Sequence, residues 1–425
     1  MFPSETVSLN TAVHADMVVV GAGAAGLATA IFAAHAEPTL NVICLDGAKR
    51  VGAKILVSGG SRCNVTNRHV DERDFSSGSR RRVKSVLRAF PAVRTAEFFA
   101  SLGVPLHEEE DGKLFPDTNR SRTVLDALLR AAAERGIPIH GEERVMDLAR
   151  TDGGFVVRTA NREWSARRVV LATGGRSLPK TGSDGYGYSL ATRLGHGYVE
   201  TTPALAPLIL EGQRHHDLAG ISHPVALTCG TGDDRVRCEG SLLWTHFGIS
   251  GPVALDISRH WHRALLERRP SEVRLDVCPG HTLDTLDTWM LQQRETRPRA
   301  FVVTVVSSLL PAAVAGQWCR AAGIRHDTTM THMTRDERRA LVRVLKDTVL
   351  EIRDSRGYGY AEVTAGGIPL DEVNATSMES QVCPGLHLVG EILDVDGRLG
   401  GFNFQWAWSS GWVAGHAIAR ALRPS

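Results

Sequence analysis

A glycine-rich turn near the start of the chain has the spacing that dinucleotide-binding proteins use. The apolar run Met17–Val20 leads directly into a GxGxxG sequence, and an alanine-rich helical pattern follows. Gly21 permits the tight turn, Gly23 lets the backbone approach a pyrophosphate, and Gly26 lets the helix pack against the sheet. Amides at the helix N-terminus then bind the phosphates. The turn therefore predicts a bound dinucleotide.

An acidic residue ends the next predicted strand. Asp46 follows the apolar run Asn41–Leu45 and stands 20 residues beyond Gly26. A carboxylate at this spacing accepts hydrogen bonds from the ribose hydroxyls, and its charge disfavours a 2′-phosphate. The second strand therefore supports the same ligand.

Two further segments are expected to contain loops. The polar, glycine-bearing segment 47–67 predicts an ordered loop around one strand or turn, and residues 80–136 are expected to be mostly helical, broken by a loop at 108–121.

Two later glycine segments indicate that the dinucleotide is FAD. A β-meander over 145–170 leads into Thr173-Gly174-Gly175, the usual second chain crossing of FAD proteins of the glutathione-reductase kind. Gly390-Glu391 predicts a third crossing, in which the acidic side chain bonds the ribityl hydroxyls. A helix beginning near Gly401-Phe402-Asn403 can point its amides at the flavin pyrimidine edge. No second GxGxxG follows a strand, so no dedicated NAD(P)H domain is predicted.

Length and composition bound the remaining function classes. A chain of 425 residues predicts two or three domains, and its net charge of +2 gives no general case for nucleic acid or membrane. Seven scattered cysteines predict neither a disulfide framework nor zinc, and the first 16 residues lack a signal-peptide pattern. A cytoplasmic protein without metal is expected. The basic clusters Arg80–Arg94 and Arg335–Arg343 are usually solvated helix faces and only sometimes phosphate-binding surfaces.

The chain resembles the BaiN-like (YhiN-like) family of bacterial flavoproteins, described as NAD(P)/FAD-dependent oxidoreductases. The resemblance is carried by motifs at 54–67 (KILVSGGSRCNVTN), 171–188 (LATGGRSLPKTGSDGYGY), 245–252 (THFGISGP), 361–368 (AEVTAGGI) and 390–415 (GEILDVDGRLGGFNFQWAWSSGWVAG). Three departures are small: Ser61 replaces a glycine, Asp46 replaces the commoner Glu, and Phe402 replaces the commoner Tyr.

The resemblance implies an α/β fold with a Rossmann-like FAD-binding domain that carries inserted β-barrel-like and helical modules. We expect the FAD domain at 1–198 plus 356–425, the β-rich module at 199–257 plus 345–355, and the helical module at 258–344. Residues 58–64 are expected along the flavin, and Val145 is expected to offer its backbone to the adenine. The complete set of predicted cofactor-binding residues is Gly21, Gly23, Ala24, Ala25, Gly26, Asp46, Gly47, Lys54, Ser58, Gly60, Arg62, Asn64, Val145, Thr173, Gly174, Gly175, Gly390, Glu391, Gly401, Phe402 and Asn403.

Two side chains are predicted to take part in catalysis. Cys63 can donate a proton while the flavin delivers hydride, and its alternative role is to pack beneath the cofactor. His246, in a glycine-flanked loop, can act as an acid in the substrate cavity or can simply pack. Arg356 and Tyr358 can hold a substrate carboxylate or phosphate. Histidines 215, 216, 326 and 332 lack the neighbours of a metal site.

The function expected from these features is reduction of a conjugated C=C bond in a small-molecule substrate lodged between the FAD domain and the inserted modules. The external reductant would be NAD(P)H or another donor. Two alternatives stay open: oxidation of a small amine or aminoketone by O₂, and an RNA-associated flavoprotein that reduces a uridine in ribosomal RNA and uses the Arg80–Arg94 cluster. Arg62 can form a structural ion pair instead of binding FAD phosphate or a substrate anion. Lys54 can bond carbonyl groups of its own loop instead of the cofactor.

Overall fold

The computed structural model of the chain describes residues 13–212 and 215–423. The tail before residue 13, which includes most of the stretch tested for a signal peptide, lies outside the described residues. The chain forms two compact units: the first ends at Thr201 and resumes at Glu362, and the second spans Thr202–Ala361. Among the described residues, no helix combines the length and the apolar character that crossing a membrane requires.

The first part of the chain contains both strands and helices. The strands are β1 (Val13–Val20), β2 (Val42–Leu45), β3 (Thr66–Asn67), β4 (Phe75–Ser77), β5 (Leu106–Glu108), β6 (Lys113–Pro116), β7 (Ile139–His140), β8 (Val145–Thr151), β9 (Gly154–Thr159) and β10 (Glu163–Leu171). The helices are α1 (Ala24–Ala36), α2 (Ala53–Ser61), α3 (Arg80–Ala89), α4 (Ala92–Ser101), α5 (Ser121–Glu134) and α6 (Tyr186–Arg193).

The remainder of the chain adds the second unit and then completes the first. Its strands are β11 (Val199–Ala204), β12 (Leu208–Leu210), β13 (Ser222–Cys229), β14 (Val236–Thr245), β15 (Gly248–Ser250), β16 (Val273–Asp276), β17 (Thr348–Leu350), β18 (Ile352–Ser355), β19 (Val363–Gly367), β20 (Leu386–Leu388) and β21 (Val395–Gly397). Its helices are α7 (Pro252–Leu266), α8 (Leu283–Thr296), α9 (Val302–Val306), α10 (Ala312–Ala321), α11 (Arg335–Lys346) and α12 (Phe402–Leu422).

A parallel sheet organises the first unit. Strands β7, β2, β1 and β10 lie in that order, β20 pairs with the end of β10, and β9 and β8 form an antiparallel meander on its first half. Val20 is in register with Leu45 and Leu171, and Leu171 is in register with Leu388. Because parallel strands finish at one edge, the predicted glycine and acidic segments all leave the sheet side by side. The Rossmann-like fold is confirmed.

Small residues let the two long helices of the first unit pack closely. α1 is alanine-rich and buried along most of its length. A β-carbon on Gly411 of α12 would lie 3.0 Å from the Ala25 carbonyl oxygen, and one on Gly415 would lie 2.7 Å from the Thr29 carbonyl oxygen. Since the contact at Gly415 is closer than real β-carbons show and the one at Gly411 is tighter than most, these glycines let α12 lie close against α1.

The second unit is an antiparallel sheet with helices packed on it. The strand order is β17, β16, β13, β14, β15, β12 and β18. The two edge strands are joined in sequence through Glu351 alone, so the sheet curls toward closure. Strands and helices share one hydrophobic core, in which the Trp244 and Trp318 rings lie 5.8 Å apart. The division of the insertion into separate β-rich and helical modules stays a prediction.

Two local expectations were wrong. The segment after β2 was expected to be a loop around one strand or turn, but Ala53–Ser61 forms the kinked helix α2. The loop expected before α5 contains the hairpin of β5 and β6.

Candidate functional site

The glycine turn after β1 combines two tightly packed glycines with one that faces open space. Gly21 adopts φ +101°, and a β-carbon there would overlap the Ala172 carbonyl oxygen. A β-carbon on Gly26 would overlap the Gly21 carbonyl oxygen. Beyond its chain neighbours, no atom of the described residues lies within 4 Å of the β-carbon position of Gly23, which precedes α1. This space fits a pyrophosphate bound to the first amides of α1, those of Ala24 and Ala25.

Asp46 holds the glycine turn in place from the neighbouring strand. Its Oδ2 accepts a hydrogen bond from the Ala22 amide at 2.7 Å, and its Oδ1 accepts one from the Ala48 amide at 2.8 Å. Burial raises the pKa of Asp46, and these two amides oppose that shift. Each carboxylate oxygen keeps a second lone pair, so both ribose hydroxyls can still donate to it. The sequence indicated the ribose role but not the contact with Ala22.

The end of β2 and the start of β8 lie side by side, as an adenine site requires. The Asp46 carbonyl oxygen accepts a hydrogen bond from the Glu143 amide at 2.9 Å. A β-carbon on Gly47 would lie 3.2 Å from the Arg144 β-carbon. Val145 begins β8 and is 4% exposed. Its contact with the adenine stays a prediction.

The second and third chain crossings meet the first beside α1. Thr173–Gly175 follows β10, and Gly390 follows β20 on the adjacent strand. Gly174 and Gly390 adopt φ +71° and +72°, which favour glycine. A β-carbon on Gly390 would lie 2.7 Å from the Ala25 β-carbon. Three distant segments of the chain therefore converge at the start of α1.

A polar network links the Lys54 segment to the second and third crossings. Lys54 Nζ donates to Ser177 Oγ at 2.5 Å and forms an ion pair with Glu391. Glu391 Oε1 accepts hydrogen bonds from Ser177 Oγ at 2.8 Å and from the Thr364 amide at 2.9 Å. Gly175 is required here because a β-carbon would overlap the Thr364 side chain. Sequence reasoning missed Ser177 and Thr364, although both lie within the motifs that carry the family resemblance.

The ending of α2 is a run of left-handed backbone. Gly59, Gly60 and Ser61 adopt φ values of +52°, +66° and +67° in succession, and Cys63 adopts +62°. Ser61 is therefore a strained exception at a position suited to glycine. Ser58 lies at the kink, where its Oγ donates to the Ile55 carbonyl oxygen at 2.7 Å. The run turns the chain back on itself and exposes Gly60. Beyond its chain neighbours, no atom of the described residues lies within 4 Å of the β-carbon position of Gly60.

Cys63 is fully buried in the core of the first unit. Its amide donates to the Ser58 carbonyl oxygen at 3.1 Å. Burial raises the pKa of the Cys63 thiol to about 12, against the effect of a hydrogen bond with the Ser58 side chain. The thiol therefore keeps its proton at neutral pH, and its environment is that of a packing residue.

Arg62 and Asn64 flank Cys63 and are already engaged by protein groups. Arg62 Nη1 lies 2.7 Å from Glu109 Oε1, and the guanidinium lies 4.1 Å above the Phe115 ring. The Asn64 side-chain amide is oriented so that its nitrogen faces acceptors and its oxygen faces a donor. In that orientation the side-chain oxygen accepts a hydrogen bond from the Gly401 amide at 3.1 Å. Their roles toward FAD stay predictions, and the geometry favours structural roles.

The start of α12 is fixed by side chains that turn away from solvent. Gly401 adopts φ +91° and precedes the helix. Phe402 is fully buried, with its ring 6.1 Å from that of Phe75, and Asn403 exchanges hydrogen bonds with both backbone groups of Gly397 at 2.8 and 2.9 Å. The groups left to face a flavin here are backbone amides. Two tryptophans of the helix, at 406 and 408, are buried core residues.

His246 is the predicted catalytic residue of the second unit. It is exposed in the turn between β14 and β15, with its ring 5.2 Å from that of Phe247. Burial lowers the pKa of the neighbouring His215, and a hydrogen bond with the His246 backbone opposes that shift. Over the described part of the chain, no group of three His, Cys, Asp or Glu residues is arranged to hold a metal ion.

Comparison with known proteins places this chain in a family. A family model for the HI0933-like protein Rossmann domain matches residues 15–417. The 3-dehydro-bile acid delta(4,6)-reductase of Clostridium scindens is 32% identical over 402 residues, covering 94% of this chain and 98% of the relative. The ribosomal RNA dihydrouridine synthase of Escherichia coli is 31% identical over 410 residues, covering 96% and 98%.

A solved structure shows the same fold at low identity. The 3-ketosteroid delta1-dehydrogenase of Sterolibacterium denitrificans, in complex with 1,4-androstadiene-3,17-dione, superposes with a TM-score of 0.50 and 13% identity. The alignment covers 96% of this chain and all of that one, at 100%. At this identity the likeness concerns the fold alone.

Proposed function

The chain belongs to the HI0933-like family, and from that premise we propose that it reduces an activated carbon–carbon double bond. It is an FAD-dependent oxidoreductase, as its motifs predicted. What carries the proposal is the convergence of three FAD segments at one sheet edge, in a chain that aligns almost end to end with relatives named for such a reduction.

The two relatives are named for the same bond change. One is a delta(4,6)-reductase of a 3-dehydro-bile acid, and the other forms dihydrouridine. Dihydrouridine is uridine with two hydrogens added across a double bond conjugated to a carbonyl group. In this chemistry a hydride adds to the β-carbon and a proton adds to the α-carbon, which leaves a saturated ketone or amide. FAD, when bound, supplies the hydride.

The chain's own residues bind and position the reactants. Helix amides next to Gly23 hold the pyrophosphate, and Asp46 accepts hydrogen bonds from the ribose hydroxyls. The Lys54–Glu391 pair fixes polar groups where the three crossings meet. We expect bound FAD to lie along this edge, with the amides of α12 toward its pyrimidine.

Cys63 and His246 stay the predicted proton donors, and one substitution separates the two roles of Cys63. If the thiol donates the proton, Cys63→Ala lowers kcat about 100-fold, as loss of a general acid does. If the thiol only packs, the same variant loses stability while kcat changes by less than about threefold. Complete burial of the side chain favours the second result.

We propose NAD(P)H as the external reductant, which reaches the flavin although no dedicated NAD(P)H-binding domain is predicted in this chain. The test mixes the yellow holoenzyme anaerobically with NADPH or NADH in a stopped-flow instrument and follows the flavin absorbance. Rapid bleaching supports a nicotinamide-fed reductase. Failure to bleach with either nucleotide, together with peroxide release when a small amine or aminoketone is added in air, would instead establish the oxidase alternative.

RNA is a second candidate substrate, favoured by one surface of the first unit. The α3 residues Arg80, Arg81 and Arg88 are exposed, whereas Arg82 pairs with Asp371. Reversing the three exposed charges with glutamate should weaken salt-dependent binding of a ribosomal RNA fragment if this face holds RNA. Unchanged binding would remove the support that this face gives to an RNA substrate.

A further inference from the structure

The first unit contains a cavity beside the predicted FAD-binding segments. Its volume is about 450 Å³, and it is lined by residues of α6 and its flanks, by Arg144 before β8 and by Arg176 after the second crossing. Among the described residues that line it, none is predicted above to bind FAD. A cavity of this size lies in the range of small-molecule sites.

The lining combines positive charge with aromatic rings. Arg144 and Arg176 supply two guanidinium groups against the single carboxylate of Asp184. Tyr198 is 43% exposed, so much of its side chain stays open to a ligand. Guanidinium groups bind phosphate, and phenol rings stack on nucleobases. The aromatic residues of the lining are tyrosines 186, 188 and 198.

The walls of the cavity are held in place by hydrogen bonds. The Tyr186 hydroxyl donates to a main-chain carbonyl oxygen of β8 at 2.7 Å. Tyr198 Oη lies 3.0 Å from Thr201 Oγ1, and the rings of Tyr188 and Tyr198 lie 5.2 Å apart. Side chains that are ordered in this way lose little conformational entropy when a ligand binds.

A buried contact anchors the chain just before Tyr198. His196 Nδ1 lies 2.6 Å from Glu372 Oε2, and His196 Nε2 lies 2.9 Å from Ser380 Oγ. The Gly197 amide donates to Glu372 Oε1 at 3.0 Å. The position of Tyr198 is therefore fixed from within the first unit.

The two arginines are placed differently. Arg144 Nη1 lies 2.6 Å from Asp184 Oδ2, and both side chains are about half exposed, so solvent screens this pair. The stem of Arg176 lies over Gly185, where a β-carbon would lie 2.7 Å from Arg176 Cγ. Arg176 is therefore the main expected contact of a bound phosphate, with Arg144 beside it.

We propose that this cavity is a second nucleotide site, which binds a nucleoside phosphate other than FAD with its base on the tyrosines and its phosphate at Arg176. Two sources share this chemistry: a free nucleotide, and the adenosine phosphate half of NAD(P)H. Only the second source rests on the reductant proposed above. A ribosomal RNA strand would need cations spaced along its backbone, which a single cavity does not offer.

The test titrates the FAD-saturated protein with ADP by calorimetry. Arg176→Leu should raise the Kd of ADP about 10- to 100-fold through lost charge-assisted hydrogen bonds, and Arg176→Lys, which keeps the charge, should raise it less. Tyr198→Leu should raise it about tenfold through lost stacking, whereas Tyr198→Phe, which keeps the ring, should change it less than about threefold. Arg167→Leu is the matched control, because Arg167 pairs with Asp16 and does not line the cavity, so the Kd should stay unchanged. Retained flavin absorbance shows that each variant is folded.

NADPH distinguishes the two sources. If it occupies the cavity, ADP displaces it and Arg176→Leu weakens both ligands by the same factor. If ADP binds through Arg176 but does not slow anaerobic bleaching of the flavin by NADPH, the occupant is a free nucleotide. If NADPH binds through Arg176 but does not bleach the flavin, the cavity assignment stands and the proposed reductant fails.

Three outcomes would overturn the assignment. The parent protein, saturated with FAD, could bind neither ADP nor NADPH. The Arg176 and Tyr198 variants could lose FAD rather than ADP, which would make the cavity part of the FAD site. Their losses could also be confined to a ribosomal RNA fragment.

Discussion

The sheet edge of the first unit and the His246 turn of the second are built on opposite principles. At the edge, the deciding positions are backbone positions: Gly21, Gly26 and Gly390 are glycine because a β-carbon would meet another atom. In the second unit, the role predicted for His246 depends on one side chain, which lies in the turn between the antiparallel strands β14 and β15. Glycines that a close backbone approach requires have fixed spacings in the sequence, whereas a single side chain on a turn has none, so the first kind of site is easier to recognise as a motif.

The largest effect should come from two glycines of the same turn. Gly26→Ala should cost about 3 kcal/mol of folding free energy and abolish FAD binding, because its methyl group overlaps the Gly21 carbonyl oxygen. Gly23→Ala should fold normally, since its methyl enters open space, but raise the Kd of FAD about tenfold or more by occupying the pyrophosphate position. Urea unfolding and flavin titration distinguish the two. Normal FAD affinity in Gly23→Ala would refute the assignment of that space.

The next effect concerns the Lys54–Glu391 pair. Because the two side chains are only partly buried, at 26% and 17% exposure, we expect Glu391→Gln to cost about 1–2 kcal/mol, discounted for solvent screening. Combining it with Lys54→Met should cost less than the sum of the single changes. FAD affinity should fall with either change.

A buried pair in the second unit provides the matched control. Lys346 Nζ lies 2.7 Å from Asp276 Oδ2, so Asp276→Asn should lower stability as well. It should nevertheless leave the FAD dissociation constant unchanged. An equal loss of FAD affinity in Glu391→Gln and Asp276→Asn would contradict the assignment of FAD binding to the first unit.

A smaller effect appears at alkaline pH. The pKa of Cys63 is raised from 9.0 to about 12, so the folded chain keeps a proton that the unfolded chain loses above pH 9. Stability should therefore fall as pH rises from 9 toward 12, by at most about 1.4 kcal/mol per pH unit from this group. Cys63→Ala should remove that contribution, measured by urea unfolding at pH 9, 10 and 11.

Cys278 in the second unit tests whether burial alone explains this behaviour. Burial raises its pKa to about 12 as well, so Cys278→Ala should flatten the pH profile in the same way. Only Cys63→Ala should also shift the flavin absorbance spectrum, because only Cys63 is predicted beside the cofactor. Fast alkylation of Cys63 by iodoacetamide in the folded protein at pH 9 would contradict its burial.

The smallest effect is expected at Ser61. Its φ of +67° strains a residue with a β-carbon, so Ser61→Gly should stabilise the fold by about 0.5 kcal/mol after the greater flexibility of the unfolded chain is subtracted. Gly60→Ala, at φ +66°, should destabilise by about 1 kcal/mol. Thermal unfolding of the apoprotein measures both, and a stabilising Gly60→Ala would contradict the backbone described for this run.

The sheet and its glycine edge could be predicted because their constraints are local. The strand, turn and helix around Gly21–Gly26 follow one another within a few positions. The α2 helix was missed because the glycines at 59 and 60 suggested a loop and concealed the helical turn before them. The hairpin of β5 and β6 was missed for a similar reason, since its short strands lie in a charged, glycine-bearing segment.

Contacts between distant segments could not be predicted. The Ser177 and Thr364 contribution to the Lys54–Glu391 network joins residues 187 positions apart, and no spacing rule connects them. The ion pair of Arg62 with Glu109 likewise depends on how α2 packs against the β5–β6 hairpin. Side-chain partners of this kind become visible only when the fold brings them together.

The central claim is that reduced flavin on this chain passes hydride to a conjugated double bond. The most direct measurement reduces the holoenzyme anaerobically with light and mixes it with a 3-oxo-4-ene steroid carboxylic acid. Flavin absorbance is followed, and the mass of the product is measured by mass spectrometry. The account predicts that the flavin reoxidises without O₂ and that the product gains two hydrogens. A flavin that stays reduced until air is admitted, for this acid and for a uridine-containing ribosomal RNA fragment alike, would contradict it.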